Sequence, residues 1–296
     1  MTRRQVIAHT AAVAAIVGLK PPAAIAALTS GAARGGGPGA AGAATAASAP
    51  GTSDTAVPPS APGDAAAELY PTQSPGEVRE LVRVAHFDVA RVRAILQRRP
   101  ALARAGWDWG FGDWETALGA ASHMGNRPIA ELLLAHGARP DLFSAAMLGQ
   151  LDVVKAHVQA WPGAQSIRGP HGITLLAHAR AGGAAARPVL DYLGQLGGAD
   201  PELPLQPLAP EARESMLGSY SYGSRPDEVF LVETYQDGVT VKRAGGMARP
   251  LLHLGSRVFS PMGAEAVRIR FSAEMPAALF TVHDPDVVVT ARRVAA

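Results

Sequence analysis

Nine histidines, 25 acidic residues and no cysteine are the raw material for chemistry in this chain of 296 residues. Without a thiol there is no disulfide, no thiolate nucleophile and no cysteine-ligated zinc. A Ser-x-x-Lys nucleophile, a Gly-x-Ser-x-Gly elbow, a His-Glu-x-x-His helix and a phosphate loop ending in Gly-Lys are all missing from the sequence. Four histidines, His136, His157, His171 and His178, fall in the middle of the chain, where a metal site would need about three of them to converge with a carboxylate. Single histidines on helices usually bond locally instead, so the expectation is no metal, no cofactor and no catalytic residue. His283-Asp284-Pro285-Asp286 offers imidazole and oxygen ligands, but it is first of all a turn pattern.

The densest cluster is Trp107-Asp108-Trp109-Gly110-Phe111-Gly112-Asp113-Trp114, with three of the four tryptophans. Large rigid rings on a loop with two glycines suit partner recognition, so Trp107, Trp109, Phe111, Asp113 and Trp114 are the candidate partner-binding residues. The competing reading has the rings covering an apolar edge. Between the two, Trp114 is expected to be the more structural ring, because it directly precedes a helix start, and Trp107 and Trp109 the more exposed pair.

Composition divides the chain into segments. Residues 1–26 have a basic start, an apolar stretch from Val6 to Leu19 and a small-residue site at Ala24-Ile25-Ala26, the three parts of a secretory signal too short to span a bilayer. Arg3-Arg4-Gln5-Val6-Ile7 resembles the twin-arginine export signal, which implies a periplasmic or secreted protein that folds before export. Residues 27–72 are Ala, Gly, Pro, Ser and Thr with almost no large apolar side chain, a linker expected to be disordered. The formal dinucleotide fingerprint Gly37–Gly42 inside it lacks the flanking strand and helix that would make it work. Removing Arg3, Arg4 and Lys20 leaves 24 basic against 25 acidic residues, a balance that argues against a nucleic-acid footprint.

Residues 73–203 carry a helical repeat signal, strongest between Asp113 and Asp141. Thr116 can cap a short helix, Gly125 can end it in a left-handed conformation, Asn126 can cap a second helix with Pro128 in its first turn, and Ile129, Leu132 and Leu133 recur at helical spacing. The segment Glu115–Ala121, Gly125-Asn126 and Ile129–Ala138 resembles the ankyrin repeat, with Ala117 and Gly119 departing from the usual Pro and His. Weaker copies flank it, for about four repeats. The resemblance implies an α-solenoid that binds proteins through its loop fingers, and the tryptophan octet falls in the first finger.

Residues 204–296 change to a period of two. Glu228–Tyr235 and Val239–Arg243 read as strands joined around Gln236-Asp237-Gly238, and further strands are expected at Leu251–Leu254, Arg257–Ser260, Ala266–Phe271, Ala278–His283 and Val287–Arg292. In Val267-Arg268-Ile269-Arg270-Phe271 the alternation is clean. Such a run of short strands implies a small antiparallel β-barrel or β-sandwich. Leu217-Gly218-Ser219-Tyr220, Asp237-Gly238 and Phe259-Ser260-Pro261 resemble the lipocalin-like domain that follows the catalytic domain of some bacterial serine hydrolases, whose catalytic residues have no counterpart here.

The expected fold class is thus α + β multidomain, an ankyrin-repeat solenoid followed by the β-domain. The expected function is a non-enzymatic scaffold that binds a protein partner in the bacterial cell envelope, with no nucleic acid and no membrane span in the mature chain. The alternative is a small molecule held by the β-domain, with Phe230, Tyr235 and Phe271 lining its cavity.

Overall fold

The computed structural model describes residues 71–294, and the expectations for the signal at 1–26 and for residues 27–70 lie outside them. Helices come first: α1 (Pro75–Val84), α2 (Val89–Arg98), α3 (Ala117–His123), α4 (Arg127–Ala135), α5 (Leu142–Leu148), α6 (Leu151–Ala160), α7 (Leu175–Ala181) and α8 (Arg187–Leu196). A hairpin of β1 (Gly106–Asp108) and β2 (Trp114–Thr116) enters between α2 and α3. Helix α9 (Pro210–Met216) then leads into β3 (Gly218–Ser221), β4 (Val229–Tyr235), β5 (Gly238–Arg243), β6 (Arg249–Gly255), β7 (Val258–Pro261), β8 (Arg268–Phe271), β9 (Leu279–His283) and β10 (Val288–Arg293).

The helix boundaries follow from side chains that satisfy the first free backbone N–H groups. Asp88 accepts from Arg91 N, Thr116 from Gly119 N, Asn126 from Ile129 N and Thr174 from Ala177 N. Asp141 and Ser144 form a reciprocal capping box at α5. Gly125 sits at φ 68° between α3 and α4, where an added Cβ would be driven into the Ala181 carbonyl. Gly125→Ala therefore combines left-handed strain with a backbone clash, and a melt should show a loss of about 2 kcal/mol or more.

These helices do not build the expected ankyrin solenoid. Such an array stacks equal two-helix units along one apolar spine with connectors of one kind. Here the connectors differ: a β-hairpin precedes α3, short 3-10 turns at Ala164–Ser166 and Pro170–Gly172 separate α6 from α7, and a third at Gly183–Ala186 precedes α8. The apolar side chains also divide. One core gathers α1 to α4 with Met147 of α5 and Met262 of the β-region, and a second gathers the rest of α5 with α6 to α8. Local caps are set by neighbours in sequence, whereas stacking depends on what each face finds to cover it, and part of the first core is covered by Met262 of the β-region instead.

The carboxyl-terminal strands close into an antiparallel barrel in the order β10-β3-β4-β5-β6-β7-β8-β9. The β4–β5 turn lies at the expected place, with Tyr235 paired to Gly238. Val267, Ile269 and Phe271 point inward between exposed Arg268 and Arg270. An eight-stranded barrel is just wide enough for side chains to fill it. Tyr220, Phe259, Phe271 and Phe280 do so, with ring centroids 4.9–6.0 Å apart along the cluster. Phe230 packs against the same core, while Tyr235 lines a cleft outside it, so the three aromatics do not enclose one cavity. Among the described residues no helix is long and apolar enough to cross a membrane.

Candidate metal centre

The β1–β2 hairpin positions the site. Its register pairs Gly106 with Thr116, Trp107 with Glu115 and Asp108 with Trp114. Strand side chains alternate, so turning Trp114 and Thr116 to solvent turns Glu115 inward. Trp109 and Asp113, at the two ends of the connecting turn, are joined by a hydrogen bond from Trp109 N to Asp113 O and are both buried.

Three histidines meet Glu115. His86 follows α1, and its Nδ1 donates to Val82 O and Arg83 O at 3.1 and 3.0 Å, which leaves the Nε2 lone pair free. His171 lies in the Pro170–Gly172 turn at φ 60°, where its backbone N and its Nδ1 donate to the two oxygens of Asp113 at 2.8 and 2.7 Å. His123 ends α3 and brings Nε2 to 2.8 Å from Glu115 Oε1. His86 Nε2 stands 3.5 Å from Glu115 Oε2, and His171 Nε2 stands 3.3 Å from Oε1. The side chains are 0–1 % exposed. Both His86 Nε2 and His171 Nε2 are buried without a hydrogen-bond partner.

The surroundings favour positive charge on His171 and oppose it on His123. Burial pushes the Glu115 carboxyl up, but His86 and His171 outweigh it and hold the group well below the usual carboxylate range. Burial also opposes charge on His171, yet Glu115 and Asp113 raise it to about 9. Desolvation dominates at His123, which falls to about 3, so this ring stays neutral and its Nε2 donates to the Glu115 carboxylate at 2.8 Å. Asp113 lies below its ordinary value despite its burial, through His171 and Arg249.

The four potential ligand atoms lie within 4.8 Å of one another. Nitrogen and oxygen ligands at about 2.0–2.1 Å from a tetrahedral ion stand about 3.4 Å apart. His171 Nε2 at 3.3 Å from Oε1 and His86 Nε2 at 3.5 Å from Oε2 are close to that edge, while His123 Nε2 at 2.8 Å from Oε1 stands at hydrogen-bonding distance. The outer shell is also of the kind that metal-bound histidines use: a carboxylate on His171, carbonyls on His86, and Trp109 Nε1 donating to Glu115 Oε2 at 2.7 Å.

Of the histidines singled out in the sequence, only His171 belongs to this centre. His136 and His178 bond to the carbonyls of Leu132 and Thr174, four residues earlier, and His157 packs on Trp161. The other three members, His86, Glu115 and His123, were not legible as ligands. The gaps between positions 86, 115, 123 and 171 match no short motif, and Glu115 reads as the opening of a helical unit. The pair eight residues apart, Glu115 and His123, was the one local signal, since a strand end and a seven-residue helix fold back on each other there.

The candidate partner-binding residues separate. Trp109 is 8 % exposed and Asp113 3 %, whereas Trp114 is 66 % exposed, the reverse of the expected order for Trp109 and Trp114. Trp107 packs on the helical core and Phe111 on the barrel core. A cleft of about 500 Å3 runs beside the centre, with His171 and Gly172 on one wall and Tyr235, Asp237 and Glu265 among the others. In His283–Val287 the Asp284 and Val287 backbones bond to each other as a turn. No protein-family model, no curated protein and no solved structure matches this chain.

Proposed function

We propose that this is a metal-binding protein whose His86, Glu115, His123 and His171 hold one divalent first-row transition ion, zinc fitting best, as a closed centre that stabilises the fold. One observation carries the reading: three buried imidazole nitrogens converge on one buried carboxylate, and two of them make no hydrogen bond. Burying such groups unsatisfied costs free energy that an ion would recover. Imidazole and carboxylate donors without thiolate suit zinc, iron, nickel or copper better than soft-metal or cluster chemistry. Four protein ligands with almost no exposure leave no open position of the kind a catalytic zinc keeps, so the role is structural. A twin-arginine signal at residues 1–26 fits this reading, because a protein that folds before export also acquires its ion before export.

The test is direct. Protein stripped with chelator and titrated with Zn2+ or Co2+ should bind one equivalent, and the cobalt form should show the intense visible bands of a tetrahedral site. His86→Ala and His123→Ala should abolish both. Wild-type uptake no greater than that of either variant would overturn the reading.

Binding of an envelope protein is the second reading, favoured by Trp114, a large ring two-thirds exposed on the solvent side of the same hairpin.

A further inference from the structure

All four ligands come from the helical segment, but the groups that hold two of them are fixed by the barrel. Arg249 on β6 is 3 % exposed. Its guanidinium donates to Asp113 Oδ2 at 2.5 Å, to Met262 O at 2.9 Å and to Trp109 O at 2.7 Å. Asp113 orients His171, and Trp109 donates to Glu115. One barrel side chain therefore pins both ends of the turn that supports two ligands. The barrel backbone closes on the same spot. Gly263, at φ 81°, lies so near that an added Cβ would stand 2.8 Å from both Asp113 Oδ2 and His171 Cα. Gly172, next to His171, is equally close to Glu265.

We infer that the barrel is the closing half of the metal centre: Arg249, through Asp113 and Trp109, is a positioning residue for His171 and Glu115, so that ion occupancy and seating of the barrel on the helices are linked. This rests on the metal-binding reading above. Linkage of this kind is reciprocal, and the same free energy must be seen from both ends. Outer-shell partners of metal ligands commonly change affinity by about 10–100-fold, which sets the size of the effect.

Two measurements test it on the full chain. In Co2+ competition titrations, Arg249→Met should bind about 10–100-fold more weakly than wild type with all four ligands present. Arg249→Lys can reach Asp113 but cannot span Met262 O and Trp109 O together, so it should fall between. In wild-type protein, hydrogen exchange at the Met262, Ala264 and Val267 amides should slow on loading Zn2+, and this slowing should vanish in His123→Ala. The exchange arm needs no barrel variant, so it stands even if Arg249→Met does not fold. Wild-type protein that takes up no ion overturns the metal reading and this inference together. Wild-type protein that binds while Arg249→Met binds within twofold, or while those amides keep the same exchange with and without Zn2+, overturns the inference alone.

Discussion

Stripping the ion with a chelator is expected to lower the melting temperature by roughly 10 °C, and adding Zn2+ back should restore it. A ligand bound only by the native state stabilises it by about 4 kcal/mol at a thousandfold excess over its Kd. For a domain of this size each kcal/mol moves the midpoint by about 2–4 °C, so the shift falls at about 8–16 °C. The ligand side chains sit at 0–1 % exposure, so little competes with the ion for them in the folded state. Differential scanning calorimetry with and without chelator measures the shift. Identical melts for wild type and His86→Ala under both conditions would remove the stabilising role.

Trp109→Ala should cost about 3–5 kcal/mol of folding stability, while Trp114→Ala should stay within about 0.5 kcal/mol. Trp109 is buried in the helical core, and its Nε1 holds Glu115 Oε2 at 2.7 Å, so truncation leaves both a cavity and a carboxylate short of a donor. Trp114 projects from the same hairpin at 66 % exposure. Denaturant unfolding of the two variants decides between these roles. Equal losses in both would mean that the hairpin does not pair Trp107 with Glu115 and turn Trp114 to solvent. A Trp114→Ala variant of normal stability is also the reagent for testing partner binding, since any loss of binding could not then be blamed on folding.

The order of these two tryptophans shows what was and was not legible in the sequence. Caps at Thr116 and Asn126 and the turn at Gln236-Asp237-Gly238 depend on near neighbours, and the structure has them as expected. The barrel strands were legible for the same reason: Val267, Ile269 and Phe271 alternate with arginines within five residues. Trp114 was assigned by its closeness to a helix start, but it lies on a strand, where alternation turns it outward and Glu115 inward. The solenoid failed at a longer range. Helical periodicity shows that a face is apolar without showing which element covers it, and part of that cover comes from Met262. The metal centre was the least visible feature, because its members are ordinary residues until the hairpin, α3 and the Pro170–Gly172 turn are assembled.

The scatter of the four ligands along the chain, from His86 to His171, also bears on the order of events in folding. No two of them are closer than Glu115 and His123, which meet only after β2 and α3 have formed. An unfolded chain offers no chelating pair, unlike a zinc finger whose ligands lie a few residues apart and can nucleate the fold. Contacts this distant in sequence form late, because the loops between them must close first. The ion is therefore captured by a nearly finished structure, where it acts as the cross-link that a chain without cysteine otherwise lacks, slowing escape from the native state more than it hastens arrival there.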